Sequence, residues 1–374
     1  MTFHVMIIPT LNCPGKCKYC WGSENTNEIM DIGLIDDIID WLENFRDDDV
    51  HFTFHGGEPL LAGYDFYKEA LKKLSLIDNF EGFSLQSNIW LLDENLIDLF
   101  VKYNVNVSTS IDGPKEINDY QRGEGYFDKT MPQYELAKQK GLDINFVATV
   151  TEHSKKHSDK LYDFFKDNGI NLKIHAALPS LRGDNADPWA LDQKDHGELL
   201  VDWLDKYLYD LDKFSIMDLD HICKSALRRR GTLCTFADCI GTTLAVGADG
   251  SIYPCYRFVG MEDYVLGNIK DKPTFEELKS SDAWQKLEEF REYVEENCNK
   301  CRHVKYCQGG CPYNGIVAYQ TPKAVDPQCE AYKIIFDEVS KRANKEFAKN
   351  AFGMGNVQNK KEGDPFSIMD LMMK

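Results

Sequence analysis

The sequence lacks any long hydrophobic run. None of its 374 residues belongs to an apolar stretch of about 18 residues, the length that a helix needs to cross a bilayer. No basic segment or cleavage motif precedes the first strand-like run, so no secretory signal is visible. These absences predict a soluble cytoplasmic protein without a membrane partner.

Positive charge is also scarce. Lys and Arg number 43 against 61 Asp and Glu, which gives a formal net charge of −18 at pH 7. Binding to a phosphate backbone requires a basic surface, so this balance predicts no nucleic-acid partner. The chain has 12 cysteines, and without a secretion signal metal or redox chemistry explains them better than disulfides do.

Three of these cysteines lie close together near the amino terminus. Cys13, Cys17 and Cys20 directly follow the apolar run Val5–Ile8, and soft thiolates select zinc, copper(I) or iron–sulfur clusters. A fourth ligand is missing, because neither Cys nor His recurs before His51. A structural zinc site is normally closed by four protein ligands. The three cysteines therefore leave one coordination position open to a group that is not protein.

Short apolar runs alternate with amphipathic segments over the first half of the chain. We predict strands at Phe3–Ile8, His51–Phe54, Gly82–Leu85, Asn106–Ser110, Ile144–Val150 and Leu172–Ala176. We predict helices near Gly33–Phe45, Tyr64–Leu74, Glu94–Tyr103, Thr130–Gly141 and Lys155–Asn168. Six successive βα units indicate an α/β fold with a parallel sheet covered by helices. The pattern alone does not separate an open doubly wound sheet from a partial barrel, and in both folds ligands bind at the carboxyl ends of the strands.

The second half of the chain has a different composition. From Cys223 to Cys329 it contains nine of the twelve cysteines. A polar loop at Leu181–Asp187 and an amphipathic helix at Asp192–Leu211 precede it and indicate a domain boundary. A long helix and a polar tail are predicted at the end. The predicted domains are residues 1–222, 223–335 and 336–374.

The six letters Phe-Ser-Ile-Met-Asp-Leu occur twice, at Phe214–Leu219 and at Phe366–Leu371. Coincidence or a shared pattern for starting a helix explains the repeat. The alternative is a tail that docks at an intramolecular or neighbouring site.

The spacing Cys-x3-Cys-x2-Cys, with the aromatic Tyr19 before the last cysteine, resembles the signature of the radical S-adenosylmethionine (SAM) enzymes. In that family the three cysteines hold three irons of a [4Fe–4S] cluster, and SAM chelates the fourth. Reductive cleavage of SAM yields a 5′-deoxyadenosyl radical. The resemblance implies a partial (βα)6 radical SAM barrel with SAM and a cluster at Cys13, Cys17 and Cys20. A zinc site or a chance cluster of buried thiols is the alternative.

Motifs at the ends of the next predicted strands fit the same resemblance. Gly56–Glu58 follows the second strand, where glycines allow close backbone approach and a carboxylate suits an ammonium; in the family this element contacts the amino group of SAM. Gln86 ends the third strand, Ser110 ends the fourth, and Arg122 follows. In relatives these positions contact the SAM carboxylate and ribose, although ordinary caps are the alternative. The predicted cofactor-binding residues are Tyr19, Gly56, Gly57, Glu58, Gln86, Ser110 and Arg122.

The cysteines of the second half resemble the SPASM extension of radical SAM enzymes, which holds two auxiliary [4Fe–4S] clusters. In that pattern the first auxiliary cluster would be held by Cys234, Cys239, Cys255 and Cys311. The second would be held by Cys298, Cys301, Cys307 and Cys329. Interleaved ligand runs are typical of iron–sulfur proteins, and zinc ribbons are the alternative for the Cys-x2-Cys pieces taken individually. Cys223 is left over, and we expect it to be a buried thiol.

Length and layout are closest to the anaerobic sulfatase-maturating enzymes and related peptide-modifying maturases. Sulfatase maturases oxidise a Cys or Ser of a sulfatase peptide to formylglycine. They carry an Asp directly after an auxiliary-cluster cysteine, where this chain has Tyr256. A phenol is a poor base at neutral pH. We therefore favour a radical SAM oxidoreductase that abstracts hydrogen from another peptide and oxidises it to a thioether, a carbon–carbon link or a desaturated product.

Formylglycine formation is the first alternative to this function. A non-catalytic iron–sulfur electron carrier or scaffold is an alternative of another class, but it has no need of a SAM pocket. The resemblance implies a peptide or protein substrate and a small electron-donor protein as partners. Tyr256, Arg257 and His175 are candidates for the pocket, and the sequence identifies no catalytic acid or base.

Overall fold

The computed structural model describes residues 2–20, 28–45, 47–179, 188–351 and 365–374. The polar loop predicted at Leu181–Asp187 and most of the polar tail lie outside the described residues. The strands are β1 (Thr2–Ile7), β2 (Asp49–Phe54), β3 (Phe80–Gln86), β4 (Val105–Ser110), β5 (Ile144–Val150), β6 (Leu172–Ala176), β7 (Thr243–Val246), β8 (Ser251–Tyr253) and β9 (Gly267–Asn268).

The helices follow in chain order. They are α1 (Gly33–Leu42), α2 (Gly63–Leu74), α3 (Glu94–Lys102), α4 (Lys115–Arg122), α5 (Tyr126–Gln139), α6 (Ser158–Asp167), α7 (Gln193–Asp210), α8 (Met217–Arg228), α9 (Phe275–Lys279), α10 (Asp282–Cys298), α11 (Val304–Cys307), α12 (Pro312–Tyr319), α13 (Cys329–Ala351) and α14 (Ile368–Met373). Among the described residues, no helix combines the length and the apolar character that crossing a bilayer requires.

The six strands and five helices predicted from the first half are confirmed. The helix predicted from Thr130 begins one turn earlier, at Tyr126. Helix α4 was not predicted, because its sequence Lys-Glu-Ile-Asn-Asp-Tyr-Gln-Arg is short and mostly polar. Gly141 and Gly169, which lie just after α5 and α6, have φ angles of 81° and 62°, as expected of residues that follow a helix.

The chain forms two compact units that interleave along the sequence. The first comprises Met1–Ser110, Asn118–Asn145 and Cys239–Glu289, and the second comprises Ile111–Ile117, Phe146–Asp238 and Phe290–Lys374. Contact within a unit therefore joins segments that are far apart in sequence. The boundaries predicted after residues 222 and 335 separate segments of the sequence, whereas each compact unit combines several segments. These predicted boundaries stay predictions.

The first unit is built on a sheet in which the strands pair in the order β4-β3-β2-β1-β7-β8-β9. Strands β1 to β4 and β7 are parallel, and β8 and β9 are antiparallel to their neighbours. Strand β7 comes from the cysteine-rich half but pairs with β1, with Ala245 opposite Met6. Because β1 to β4 are parallel, their carboxyl ends meet at one edge of the sheet, where α/β folds bind ligands.

Alternating side chains give this sheet its core. Val5 of β1 and Phe52 and Phe54 of β2 are fully buried, and the ring centroid of Phe54 lies 5.2 Å from that of Tyr67 in α2. Each such side chain stabilises the fold by about 1.5–3 kcal/mol. Thr53 lies between them on the opposite face. A register shift of one residue would exchange the two faces, so the alternation fixes which side chains of each strand are buried.

The second unit contains the parallel pair β5 and β6 and a group of packed helices. Helices α7 and α13 pack along each other, with Trp203 and Phe336 fully buried. The Tyr162 hydroxyl donates to Asp210 at 2.9 Å. This bond satisfies the polar end of the buried Tyr162 ring.

The carboxyl-terminal helix α14 packs against α8 and α13 within the second unit. Ile368 and Leu371 are fully buried, and Lys374 Nζ donates to Tyr207 Oη at 2.7 Å. The start of the helix is closed by a reciprocal capping box. Helix α8 begins within Phe214–Leu219, the other copy of the repeated letters. The tail therefore docks intramolecularly, beside that copy.

Replacing Leu371 with alanine should lower the free energy of unfolding by about 2–5 kcal/mol, because the buried side chain leaves a cavity behind. Anaerobic urea unfolding followed by circular dichroism measures this. Met373 is 75 % exposed, so Met373→Ala is the matched control and should change the value by less than about 0.5 kcal/mol. Equal stability of the two variants would contradict a docked tail.

Candidate functional site

The cysteine loop follows β1 at the carboxyl edge of the first unit. Cys13 and Cys17 are partly exposed, and Cys20 is exposed. The Gly15 N–H donates to Cys13 Sγ at 3.3 Å, and the Cys20 N–H donates to the Cys17 carbonyl at 3.1 Å. Burial is the main cause that raises the pKa of the Cys13 thiol to about 11, so a metal must displace its proton on binding.

Gly56 and Gly57 bring the loop after β2 against the cysteine loop. A Cβ on Gly57 would lie 2.2 Å from the Leu11 carbonyl oxygen, and one on Gly56, whose φ is +132°, would lie 2.4 Å from the Thr10 carbonyl oxygen. The Gly57 N–H also donates to Thr10 at 3.0 Å. The sequence suggested that these glycines allow close approach to a ligand. In the structure the close approach is to the chain that carries Cys13.

Glu58 is fully buried and joins three loops. Its N–H donates to the Asn12 carbonyl at 2.8 Å. Its Oε1 accepts from the Leu60 N–H at 2.9 Å and the Ser87 hydroxyl at 2.7 Å, and its Oε2 accepts from the Asn88 N–H at 2.8 Å. A carboxylate accepts about four hydrogen bonds, so one acceptor position is left for an ammonium. Burial raises the pKa of Glu58 to about 7, although the three hydrogen bonds oppose the rise.

Arg122 reaches the cysteine loop from the end of α4. Its guanidinium carbon lies 5.5 Å from the ring centroid of Tyr19 and 5.2 Å from that of Tyr126. Its Nη1 donates to Cys17 Sγ at 3.9 Å. The side chain is buried, and a planar guanidinium suits stacking between aromatic rings. The arrangement holds a fixed positive charge beside the cysteines.

Gln86 and Ser110 end two neighbouring strands, β3 and β4. The Gln86 amide donates to the Ser110 hydroxyl at 3.2 Å. The residues predicted to bind the cofactor all belong to the first unit. The structure brings Tyr19 and Arg122 together, Gln86 and Ser110 together, and the Gly56–Glu58 loop against the chain before Cys13. Their roles in binding stay predictions.

Replacing Arg122 with lysine should weaken SAM binding by roughly tenfold while leaving the iron content unchanged. An ammonium keeps the charge but loses the planar contact with two rings and the several fixed donors of the guanidinium. Equilibrium dialysis of SAM with the cluster-loaded protein measures the effect. Arg291, which pairs with Asp238 at 2.8 Å on the surface, provides the control Arg291→Lys. Equal SAM affinity of the two variants would remove Arg122 from the site.

The donor set of the cysteine loop fits a cluster by its chemistry. Among the described residues, no three Cys, His, Asp or Glu side chains are arranged to hold a single metal ion. Thiolates are the ligands of iron–sulfur clusters, and a structural zinc site is normally closed by four protein ligands. Cys13, Cys17 and Cys20 would hold three irons and leave the fourth to a group from outside the protein.

A second group of cysteines comes together in the second unit. Burial first, and then the charges of Cys329 and Cys301, raise the pKa of Cys307 to about 12. Burial and the same two neighbours raise the pKa of Cys298. Three of these four cysteines lie at the ends of helices. Cys298 ends α10, Cys307 ends α11 and Cys329 begins α13. These are the four residues predicted for the second auxiliary cluster.

The set predicted for the first auxiliary cluster is divided between the units. Cys239 and Cys255 belong to the first unit, and Cys234 and Cys311 belong to the second. This ligand set stays a prediction. Cys223 is fully buried in α8, as the sequence predicts.

The pocket candidate Tyr256 has a partner that the sequence did not indicate. Its ring stacks on His55 with 3.9 Å between centroids, and Arg257 Nε donates to its hydroxyl at 3.2 Å. The His55 Nδ1 accepts from the Gly56 N–H at 2.7 Å. No spacing rule relates positions so far apart, so the pairing of His55 with Tyr256 was not predictable. His175 lies in β6 of the second unit.

Two family models match the chain. The one described as the radical SAM superfamily matches residues 7–165. The SPASM model, described as an iron–sulfur cluster-binding domain, matches residues 234–302. The second match begins at Cys234 and includes five of the eight cysteines predicted to hold the auxiliary clusters.

Similar proteins include both curated sequences and solved structures. An uncharacterized protein of Methanothermobacter thermautotrophicus is 46% identical over 62% of this chain and 89% of its own length. A cysteine-type anaerobic sulfatase-maturating enzyme of Clostridium perfringens is 28% identical over 87% of this chain and 92% of its own. The structure of native anSMEcpe with bound AdoMet and Cp18Cys peptide has a TM-score of 0.81 at 27% identity, over 94% of this chain and 100% of that one. The predicted α/β fold, a partial (βα)6 barrel with a SPASM domain, is confirmed.

Proposed function

Because this chain belongs to the radical SAM superfamily and carries a SPASM domain, we propose that it is a maturase that modifies a peptide or protein after translation. The proposed cofactors are SAM and three [4Fe–4S] clusters. One cluster is held by Cys13, Cys17 and Cys20, and the two auxiliary clusters are held by the eight cysteines predicted above. When bound, SAM and its cluster supply a 5′-deoxyadenosyl radical.

The observation that carries this proposal is the arrangement around the cysteine loop. Glu58 keeps one acceptor position beside the chain before Cys13, and it suits the ammonium of SAM. Arg122 holds a positive charge beside Cys17, and it suits the SAM carboxylate. A cluster scaffold or electron carrier has no need of a buried carboxylate and a buried guanidinium next to a loop of three cysteines. The pair therefore supports SAM binding over a purely structural cluster.

A peptide substrate is supported by the similar proteins. One is a sulfatase-maturating enzyme, and one solved structure holds AdoMet together with a peptide. In the proposed reaction a residue of the peptide loses a hydrogen atom to the radical. It then loses one electron to an auxiliary cluster and one proton, which completes a two-electron oxidation. A small electron-donor protein supplies the electron that cleaves SAM.

The surroundings of Cys255 support a product other than formylglycine. Tyr256 follows this cysteine, stacks on His55 and accepts from Arg257. A phenol therefore stands where the sulfatase maturases carry a carboxylate. The proposed product is a thioether, a carbon–carbon link or a desaturated residue, any of which results from the two-electron oxidation.

Formylglycine formation is the second candidate, favoured by likeness to the sulfatase-maturating enzyme over most of the chain. Mass spectrometry of Cys- and Ser-containing sulfatase peptides, incubated with cluster-loaded enzyme, SAM and dithionite, distinguishes the two. We expect 5′-deoxyadenosine but no formylglycine from either peptide. Tyr256→Asp is the matched variant, since it restores the carboxylate. Formylglycine from the unmodified enzyme would establish the second candidate and overturn the first.

The substrate itself can be sought among small peptides encoded beside this gene. Incubation of each candidate with the loaded enzyme should lower the mass of one of them by two hydrogens. No mass change in any candidate, with active SAM cleavage, would argue against a substrate encoded nearby.

A further inference from the structure

Three arginines stand together at the end of helix α8 in the second unit. Arg228, Arg229 and Arg230 form the only run of three consecutive Lys or Arg residues in the sequence, and we call them the arginine triplet. All three residues are exposed, and none of them makes an ion pair with another described residue. The chain as a whole has a net charge of −18. The triplet is therefore a patch of unneutralised positive charge on an acidic protein.

The end of the helix accounts for only part of this charge. A cation in the last turn stabilises a helix by about 0.3–1 kcal/mol, and Arg228 lies in that turn. Arg229 follows with a φ of 50°, a left-handed conformation that glycine adopts readily and other residues adopt at a cost. Arg230 lies beyond the helix, where the effect of the helix dipole has fallen off. The helix itself does not require three arginines.

Thr232 holds the backbone of the triplet against α8. The Thr232 N–H donates to Ser225 Oγ at 3.1 Å, and its hydroxyl donates to the His221 carbonyl at 3.1 Å. The Arg230 N–H donates to the Ser225 carbonyl at 3.3 Å. These bonds fold the chain back along the end of the helix. The triplet is therefore a preformed surface, and a partner that binds it does not have to order the backbone.

Gly231 joins the triplet to the turn that carries Cys234. A Cβ on Gly231 would collide with the carbonyl oxygen of Phe236. Phe236 is buried, and its ring centroid lies 4.9 Å from that of Tyr332. Cys234 is exposed, and because it lies four positions after Arg230, their Cα atoms are at most about 14 Å apart. The positive patch and this exposed cysteine are held side by side.

Cys234 is one of the cysteines proposed to hold an auxiliary cluster. In the proposed reaction an auxiliary cluster receives one electron from the peptide, and this electron must leave before the next turnover. A protein that takes the electron has to dock close to the cluster. Negative charge on its surface would be repelled by most of this acidic chain and attracted by the triplet. The guanidinium groups also suit carboxylates, with which they form paired hydrogen bonds.

We propose that the arginine triplet is the docking surface for an acidic protein that carries one electron. With a ferredoxin as the carrier, one electron passes from the reduced auxiliary cluster to the oxidised carrier, and no bond forms or breaks in this step. The cluster is oxidised and the carrier is reduced. The inference rests on the proposed function, because it requires the auxiliary cluster at Cys234. It is independent of which product the peptide gives.

The test is the rate of electron transfer to a purified acidic ferredoxin. The cluster-loaded enzyme is reduced with dithionite, separated from the excess and mixed with the oxidised ferredoxin in an anaerobic stopped-flow instrument. Replacing Arg228, Arg229 and Arg230 together with glutamine should lower the second-order rate constant at low salt by roughly tenfold. The rate constant of the unmodified enzyme should fall as salt is added, and that of the variant should fall much less.

The matched control carries Lys156→Gln, Lys194→Gln and Lys341→Gln. These lysine side chains are 64%, 75% and 77% exposed, and they lie in the same unit. The control removes the same number of positive charges from other places on the surface. Its rate constant should change by less than about twofold, because charges far from the contact are screened. An equal loss in the two variants, or no loss in the arginine variant, would overturn the inference.

Other outcomes separate this inference from the proposed function. Failure of the unmodified chain to load iron, or to cleave SAM with dithionite, would overturn the proposed function itself. An unmodified enzyme that cleaves SAM but transfers no electron to the ferredoxin would overturn only the docking surface. Binding of a single-stranded oligonucleotide that the arginine variant loses, without electron transfer to the ferredoxin, would assign the triplet to nucleic acid and overturn the proposal.

Discussion

Replacing Cys17 with alanine should abolish 5′-deoxyadenosine formation and remove about four of about twelve irons per chain. The three cysteines of the loop are its only thiolates, because the next cysteine in the sequence is Cys223. With two of them left, the cluster loses one of the three thiolates that would hold it. Cys17 is also the cysteine that accepts from Arg122. Iron and sulfide analysis, with chromatography of the SAM products, measures both effects.

The control for this prediction is Cys223→Ala. Cys223 is fully buried in α8 and belongs to none of the predicted ligand sets. Its loss should leave the iron content and 5′-deoxyadenosine formation intact, with only the moderate loss of stability expected of a small buried side chain. Iron loss in the Cys223 variant, or 5′-deoxyadenosine from the Cys17 variant, would contradict the assignment of the loop.

Replacing Glu58 with glutamine should weaken SAM binding by roughly 10- to 100-fold. A hydrogen bond to a charged group contributes about 1.5–3 kcal/mol, and each 1.4 kcal/mol is about tenfold in affinity. The glutamine side chain also has an NH2 group, which donates and cannot accept. It therefore cannot keep all the hydrogen bonds that the carboxylate accepts from Leu60, Ser87 and Asn88. Equilibrium dialysis with the cluster-loaded protein measures the affinity.

The pH dependence of SAM binding gives a second test of Glu58. Burial raises its pKa to about 7, so the unmodified enzyme should bind SAM more tightly as pH rises from about 6 to 8, where the carboxylate ionises. The Glu58→Gln variant should lack this dependence. Because the folded-state pKa lies above the unfolded value, Glu58 favours folding at low pH, and that contribution is lost as pH rises through 7.

Glu81→Gln is the control for the change of charge. Its carboxylate is 45% exposed at the start of β3, 3.9 Å from His51. SAM affinity and its pH dependence should be unchanged in this variant. Equal SAM affinity of Glu58→Gln and Glu81→Gln would show that the buried carboxylate does not contact SAM.

The strands were predictable because the pattern of apolar residues that identifies each strand lies within its own short segment. Buried Val5, Phe52 and Phe54 alternate with residues of the opposite face, and this period is visible in the sequence. The cysteines and Glu58 were predictable because their chemistry depends on residue type and spacing. The helix at Lys115–Arg122 was missed because it is only eight residues long and mostly polar, which is too short for an apolar period to be recognised.

The contacts between distant segments were not predictable. Nothing in the sequence of β7 indicates that it pairs with β1, so the interleaving of the two units had to come from the structure. The role of Gly56 and Gly57 likewise depends on the carbonyl groups of another loop. The φ of 59° at Ile89, in the turn after β3, was not predictable either, because a glycine or asparagine would be expected at a positive φ.

The most direct test of the central claim is anaerobic. The chain is reconstituted with iron and sulfide, its metals are quantified, and SAM and dithionite are then added while 5′-deoxyadenosine is measured. We predict about twelve irons per chain, as three four-iron clusters require, and 5′-deoxyadenosine that depends on the cysteine loop. Bound zinc in place of iron, or iron clusters that form no 5′-deoxyadenosine, would contradict the claim that this chain is a radical SAM maturase.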